Sequence, residues 1–537
     1  MSSRSSFLRK IIYLVAIAVL LMPLFWLSQP ATNAVRSAQG SPGGKLAQLR
    51  QHYHLSQAQL GQIDPTSVTI KLATLGMRGV AANILWAKAT DFKMKKDWTN
   101  FGATLNQITK VQPNFINVWS NQAWNVSYNI SVEFDDYRQR YRWVIKGLDF
   151  LKEGIKYNQR QPRLLWDMGW MTSQKIGKAD ESKQFRKLFA QDEDFRNTLP
   201  ADMRDTCLDY KGRLDNWLVG KEWFERAIAM VDKGVSMMGK GPLIYRSSGP
   251  MCQMSYAEYL EKDGTFGEVA KEAWLTAANE WDRYGSEEIP TSFKNEKTLE
   301  PVVIRLGEEE MEEKTAKTLV EQLDAIQPGL REKIVAGKRA NDLTASQRKA
   351  LDTPPEKRTG KQFELAAQAE EAIKVTHDEV AHKTISSKHV EAKKLAKEAT
   401  EHEQTAAYIR LYRNVVNFVY WRLRAQIEQT AELRAARQLV HQGDRAYSEG
   451  DLVAARNAYR QGLAGWRHVF DKVPSLVADQ TTGEDLMEVI KRYRRILSQL
   501  DEPFPEKFIL QDVIDARENR LAAPAKDETK AEGEGKR

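Results

Sequence analysis

A chain of 537 residues, 42% hydrophobic, 28% charged and 9% aromatic, is long enough for several domains with a real core, and most of it should fold. Its net charge of +8 is unevenly placed: residues 1–60 hold six cations (Arg4, Arg9, Lys10, Arg36, Lys45, Arg50) and no acid, so eight less six leaves +2 for the rest. A nearly neutral body speaks against nucleic acid as a partner.

Ile11 to Leu27 is a run of 17 uncharged residues behind a basic flank, and Phe7 and Leu8 extend it. That is the length and charge pattern of a membrane anchor over residues 1–28. The expected protein is single-pass, with its N-terminus cytoplasmic and its bulk exported to a periplasm-like side. The rival is a cleaved signal peptide, but Thr32-Asn33-Ala34 is a poor cleavage site and the apolar run is long for one. Residues 29–66 read as a tether and short helices, with a helix start at Asp64-Pro65-Thr66-Ser67.

Residues 67–290 read as paired helices. The first pair is Val80–Met94 with Trp98–Val111, its inner stripe Ala81, Leu85, Ala89 and Phe92. The central stretch, Pro113 to Phe134, is aromatic and almost uncharged. It predicts a buried helix, with Trp119, Ala123, Val126 and Ile130 on one side and Val118, Trp124 and Tyr128 widening the apolar surface. Its mate is Tyr137–Tyr157. Next come Leu164–Ile176 with Glu181–Phe189 across a Gly177–Asp180 turn, then Leu214–Leu218 into Trp223–Val231. Tyr256–Leu260 and Glu268–Trp274 come after these, joined through Gly264 and Gly267. Stacked pairs of this kind build a solenoid.

Residues 291–361 turn charged and predict short helices and loops, a candidate mobile insert. Residues 361–442 lack Gly and Pro, so one long helix or a helix pair is expected over 362–425, with Thr384-Ile385-Ser386-Ser387 its weakest point. The charged first half is expected to project into solvent, and the apolar Tyr408–Leu423 half to dock on the solenoid. Residues 426–500 form a last pair, Leu433–Tyr447 and Leu452–Leu463, around the turn Ser448-Glu449-Gly450-Asp451. Residues 501–537 close the chain, disordered after 522.

Gly443, Gly450-Asp451, Ala455 and Tyr459 resemble the tetratricopeptide (TPR) pattern of small residue, turn glycine, small residue and aromatic; Gly462 stands where an alanine is usual. Gly264–Trp274 resembles it more weakly. Three further blocks are similar to a family of bacterial membrane-anchored TPR-like proteins of uncharacterised function, some labelled "iron responsive element" protein. They are Leu75–Gly79 with Leu85-Trp86, Trp124–Phe134, and Asp485–Ile490 with Tyr493. The resemblance covers most of the chain outside the 291–361 insert and the tail, and with the reading of the residues it implies an all-α fold: an N-terminal transmembrane helix and a TPR-like solenoid, with a long charged helical insert. It implies no ligand, and the iron label transfers none.

Chemistry has few footholds. There is no nucleotide-binding glycine loop and no haem-attachment motif. His377 and His382 are five apart, which splays them around a helix, whereas a zincin needs four. His389 and His402 lie farther along the same charged segment, and His52 and His54 alternate on an expected loop. Glu133, Asp135 and Asp136 fall where one helix ends and the next begins, which suits capping, or else a polar rim. Asn125-Val126-Ser127 and Asn129-Ile130-Ser131 match the glycosylation sequon inside the most apolar stretch, and their amides are expected to bond a neighbouring helix. Cys207 and Cys252 are expected to be buried free thiols. No catalytic residue, metal site or cofactor is assigned.

The expected function is a membrane-tethered scaffold gripping a protein or peptide partner, and not an enzyme. Its candidate surface is Trp119, Trp124, Tyr128, Glu133, Asp135, Asp136, Trp166 and Trp170. The alternatives are an accessory subunit of a membrane transporter or envelope complex, and a metal-dependent or acid/base hydrolase gathering several of Glu133, Asp135, Asp136, His377 and His382 into one pocket.

Overall fold

The computed structural model describes residues 78–236, 241–294, 298–477 and 480–522, with scattered positions between 12 and 49. Most of the expected anchor and of the tether, the His52/His54 pair, the Leu75–Met77 part of the first family block and the tail lie outside them. Of the apolar run, the described Ile12, Val15, Val19 and Trp26 are exposed. No helix among the described residues is long and apolar enough to cross a membrane. The described residues form 21 α-helices, 78% of the structure being helical, against 3% strand. The chain divides into two compact units, residues 1–265 and 266–537.

In the first unit, α1 (Arg78–Met94) and α2 (Trp98–Val111) form a hairpin, with Asp97 capping α2 through the Asn100 amide. Ala81, Ala82, Leu85 and Ala89 meet Phe101, Leu105, Ile108 and Val111 in one core. α3 (Ile116–Trp124) continues as a π-turn, Asn125–Ile130, and a 3₁₀ turn, Ser131–Glu133. The predicted single regular helix is therefore interrupted, and the extra residue of the π-turn rotates the side chains beyond it about the helix axis. Trp124 stands 45% exposed rather than covered. The sequon amides bond within their own helix, Asn129 to Asn125 at 2.5 Å and Asn125 to Gln122 at 3.2 Å. Only Ser127 reaches the next helix, donating to the Val144 carbonyl at 3.3 Å.

That next helix, α4 (Tyr137–Tyr157), buries Tyr141, Val144, Leu148 and Leu151. It approaches α3 closely because Gly147 and Gly154 sit at the crossing: a Cβ on Gly154 would lie 2.6 Å from the Trp119 ring. α5 (Pro162–Trp170) begins with proline at its first turn and also runs into a π-turn, Met171–Lys175. Two short helices, α6 (Ser182–Phe189) and α7 (Glu193–Thr198), precede α8 (Asn216–Asp232) and α9 (Pro242–Lys262). The predicted pair 214–218 and 223–231 is thus one helix. Gly220 is no break: its missing side chain leaves room for Ser173 and the Gly169 carbonyl of the α5 segment.

The second unit opens with α10 (Glu268–Ser286), then an antiparallel hairpin of β1 (Ile289–Lys294) and β2 (Pro301–Ile304). This hairpin is an exception to the all-α expectation. α11 (Glu309–Ile326), α12 (Leu330–Asn341) and α13 (Ala345–Asp352) come next, so the predicted insert is more helical than expected. The one or two helices predicted for 362–425 are four: α14 (Gly360–Ile373), α15 (His377–Lys383), α16 (His389–Val415) and α17 (Phe418–Glu428). Thr376 caps α15, the expected break falls at Thr384–Lys388, and Asn417 turns left-handed at φ 50°.

The charged half of α16 does not project. It lies along α11, burying Ala392, Ala396, Ala399 and Ala406. Ion pairs lace the seam, Arg410 to Glu309 at 2.7 Å and Arg413 to Glu309 and Glu310 at 2.8 and 2.7 Å, and the His402 ring nitrogen Nδ1 lies 2.5 Å from the Glu312 carboxylate. Phe418 of the apolar half docks on Trp281 and Tyr284 of α10. α18 (Ala431–Ser448) and α19 (Leu452–Lys472) form the last hairpin; Gly450 turns it at φ +84°, and Tyr459 packs where Gly443 lacks a side chain. α20 (Gln480–Gln499) and α21 (Gln511–Ala522) complete that core with Leu486, Ile490, Tyr493, Val513 and Ile514.

Candidate functional site

Four of the predicted aromatics stand in one ladder. Trp124 stacks on Tyr128 at 5.3 Å between centroids, Tyr128 faces Trp170 at 6.0 Å, and Trp170 stacks on Trp166 at 6.4 Å. The ladder runs from the exposed Trp124 to the buried Trp166, which reaches Phe224 of α8 and Tyr245 of α9. The two π-turns supply its middle: Tyr128 comes from one, and Lys175, from the other, sets its ammonium 4.7 Å over the Tyr128 ring. Burial lowers the Lys175 pKa, opposed by Glu181, and burial raises that of the Tyr128 phenol. Below the ladder, the buried Asp167 accepts from Ser120 at 2.5 Å and from Arg163 at 3.0 Å.

Trp119 leaves this group and takes part in another feature. Its indole donates to the Pro113 carbonyl at 2.7 Å and its ring lies against Phe150 and Tyr157. Beside it a groove of about 440 Å³ opens between α2, α3 and α4. Leu105, Trp119, Val126, Trp143, Phe150 and Tyr157 give it apolar walls; Lys110, Lys146 and Glu153 give it charge. Glu153 is already paired with Lys156 at 3.2 Å, while the Lys146 ammonium lies 4.1 Å over the Trp143 ring. This size and mixture of walls suit a small molecule or a few side chains of a peptide.

The polar candidates have structural employment. Asp136 caps α4, accepting from the Arg138 and Gln139 amides, and Glu133 pairs with Lys96 at 3.2 Å. Asp135 is exposed. In the second unit, His377 pairs with Glu403 and His382 with Asp378, each at 3.1 Å. Among the described residues no three His, Cys, Asp or Glu side chains are placed to hold a metal ion. Cys207 and Cys252 are buried and free.

No protein-family model matches the chain, and no curated protein matches it in sequence. The geometry therefore stands by itself.

The groove was missed in the sequence, although its signal was there. Trp143, Lys146, Phe150, Glu153 and Tyr157 recur at three and four along α4, a second stripe beside the buried one. A helix with two such stripes has two faces to cover, and among the described residues the second is covered only in part, Trp143, Phe150 and Tyr157 being half-buried.

Proposed function

We propose that this protein is a helical scaffold that holds a protein or peptide partner. The run Ile11 to Leu27 tethers it, with the bulk of the chain on the exported side of a bacterial membrane. The observation that supports this best is the aromatic groove between α2, α3 and α4, whose walls are large apolar side chains held in place from behind. Aromatic anchors in a preformed recess are what partner binding uses most. The ladder from Trp124 inward supplies a second exposed aromatic edge in the same unit. The hydrolase reading gains no comparable support: His377 lies against Glu403 and His382 against Asp378 of its own helix, and among the described residues no three His, Cys, Asp or Glu side chains are placed to hold a metal ion. An accessory role in a transporter or envelope complex is the same mechanism with a different partner.

The test is affinity recovery of the full-length tagged chain from detergent-solubilised membranes. A defined partner at near-equal stoichiometry is expected, reduced at least about tenfold (1.4 kcal/mol) by Trp143→Glu. Recovery of nothing above background would count against the proposal.

A further inference from the structure

The groove carries a feature that the fold does not need. Gly102 sits inside α2 and lines the groove. Glycine in a helix interior costs about 1 kcal/mol relative to alanine. At Gly147, Gly154 and Gly220 that cost has a structural reason. Gly147 and Gly154 let α4 close on α3, and Gly220 makes room for the Gly169 carbonyl of α5. At Gly102 a Cβ would meet nothing within 4 Å, and the backbone is ordinary helix. Among the described residues no atom occupies the place of the missing methyl, so the groove wall has room there for the backbone of an occupant.

The charge around the recess points to what approaches. Lys110 and Lys146 both line it, and neither has a carboxylate partner among the described residues. Its one acid, Glu153, is spoken for by Lys156. The groove therefore offers apolar walls, two available ammonium groups and a glycine floor. A carboxylate of the occupant would meet the lysines, and its apolar side chains would meet Trp143, Phe150 and Tyr157.

We infer that the groove binds an acidic, apolar peptide segment, with large apolar side chains against the α4 aromatics, carboxylates at Lys110 and Lys146, and its backbone passing over Gly102. This rests on the scaffold reading and narrows it to one partner chemistry.

The probes are three fluorescent peptides of one Leu/Phe pattern whose intervening positions are all Glu, all Gln or all Lys, titrated onto the purified full-length chain by anisotropy. The Glu peptide is expected to bind about tenfold more tightly than the Gln peptide, with the Lys peptide weakest. Lys146→Glu should abolish that order. Gly102→Ala should weaken the Glu peptide about tenfold while raising the chain's thermal stability, because the methyl helps the helix and obstructs only the ligand. The separation of those two effects rules out damage to the fold as the cause of lost binding. Equal affinity for the Glu and Gln peptides, or a Gly102→Ala chain that binds as before, would overturn the inference. So would no binding by any of the three. If membrane recovery still yields a partner while the peptides fail, the scaffold stands and only this chemistry falls.

Discussion

Gly154→Ala puts the close crossing of α3 and α4 to the test. The new Cβ would lie 2.6 Å from Cγ and Cδ2 of Trp119 and 2.9 Å from its Cβ, where carbon atoms prefer 3.5–4.0 Å. Trp119 cannot step aside easily. It is 1% exposed, its ring centroid is 4.9 Å from that of Phe150 and 6.0 Å from that of Tyr157, and its indole N–H is tied to the Pro113 carbonyl. Asn158 donates to that same carbonyl at 2.8 Å, so the anchor is itself held. Overpacking of this kind costs about 1–3 kcal/mol, and helix propensity returns about 1 kcal/mol at most. With three Trp119 atoms inside 3.0 Å the cost falls toward the upper end of that range, and a net loss of about 1–2 kcal/mol is expected. Gly102→Ala, the same chemical change one helix pair away, should gain about 1 kcal/mol because its methyl meets nothing. The assay is urea unfolding of the full chain monitored by tryptophan fluorescence and far-ultraviolet circular dichroism. Gly154→Ala should lower the first unit's midpoint and Gly102→Ala should raise it. If Gly154→Ala is neutral or stabilising, the α3–α4 crossing is not packed as described and the groove wall built on it is unsound.

Three further outcomes depend on single groups. The Glu310 carboxyl is held down at about 2 by its hydrogen bond to Arg413, against an ordinary 4.5. Its stabilising contribution is thus full above about pH 4.5 and lost as pH falls toward 2; Glu310→Gln should flatten that part of the second unit's acid-unfolding curve. Lys175 is penalised by burial, so its charge costs stability below its lowered folded pKa, and the cost fades as pH rises toward 10.5. Lys175→Met should therefore raise the melting temperature at pH 7 by an amount equivalent to about 1 kcal/mol, and by less at pH 10. Burial pushes the Cys207 thiol up to about 12, so it should resist iodoacetamide at pH 8 in the folded chain and react once urea unfolds it.

The hairpins were readable in the sequence wherever polar residues and turn glycines punctuated the apolar stripes. Asp97 and Asp136 fixed helix starts, and Gly450 fixed a turn, because capping and left-handed backbone are local requirements. What was lost depended on partners distant in sequence. Gly220 lies between the predicted segments 214–218 and 223–231, and its role is set by α5, some fifty residues earlier. The π-turns at Asn125–Ile130 and Met171–Lys175 leave no composition signal, so the exposure of Trp124 could not be foreseen. The charged half of α16 looked solvated because charged side chains outnumber its apolar ones; what meets α11 is the small stripe Ala392, Ala396, Ala399 and Ala406. Of the candidate surface, Trp124, Tyr128, Trp166 and Trp170 do come together, Trp119 joins the groove instead, and Asp136 and Glu133 serve α4 and Lys96.

The most direct measurement of the scaffold claim is photo-crosslinking in living cells from a photoreactive residue placed at Asn106, on the wall of the groove. A single discrete adduct is expected, and Gly102→Leu, which fills the recess, should remove it while the chain stays folded. An adduct pattern identical to that from the exposed Lys397 on α16, or one that survives Gly102→Leu unchanged, would contradict the account.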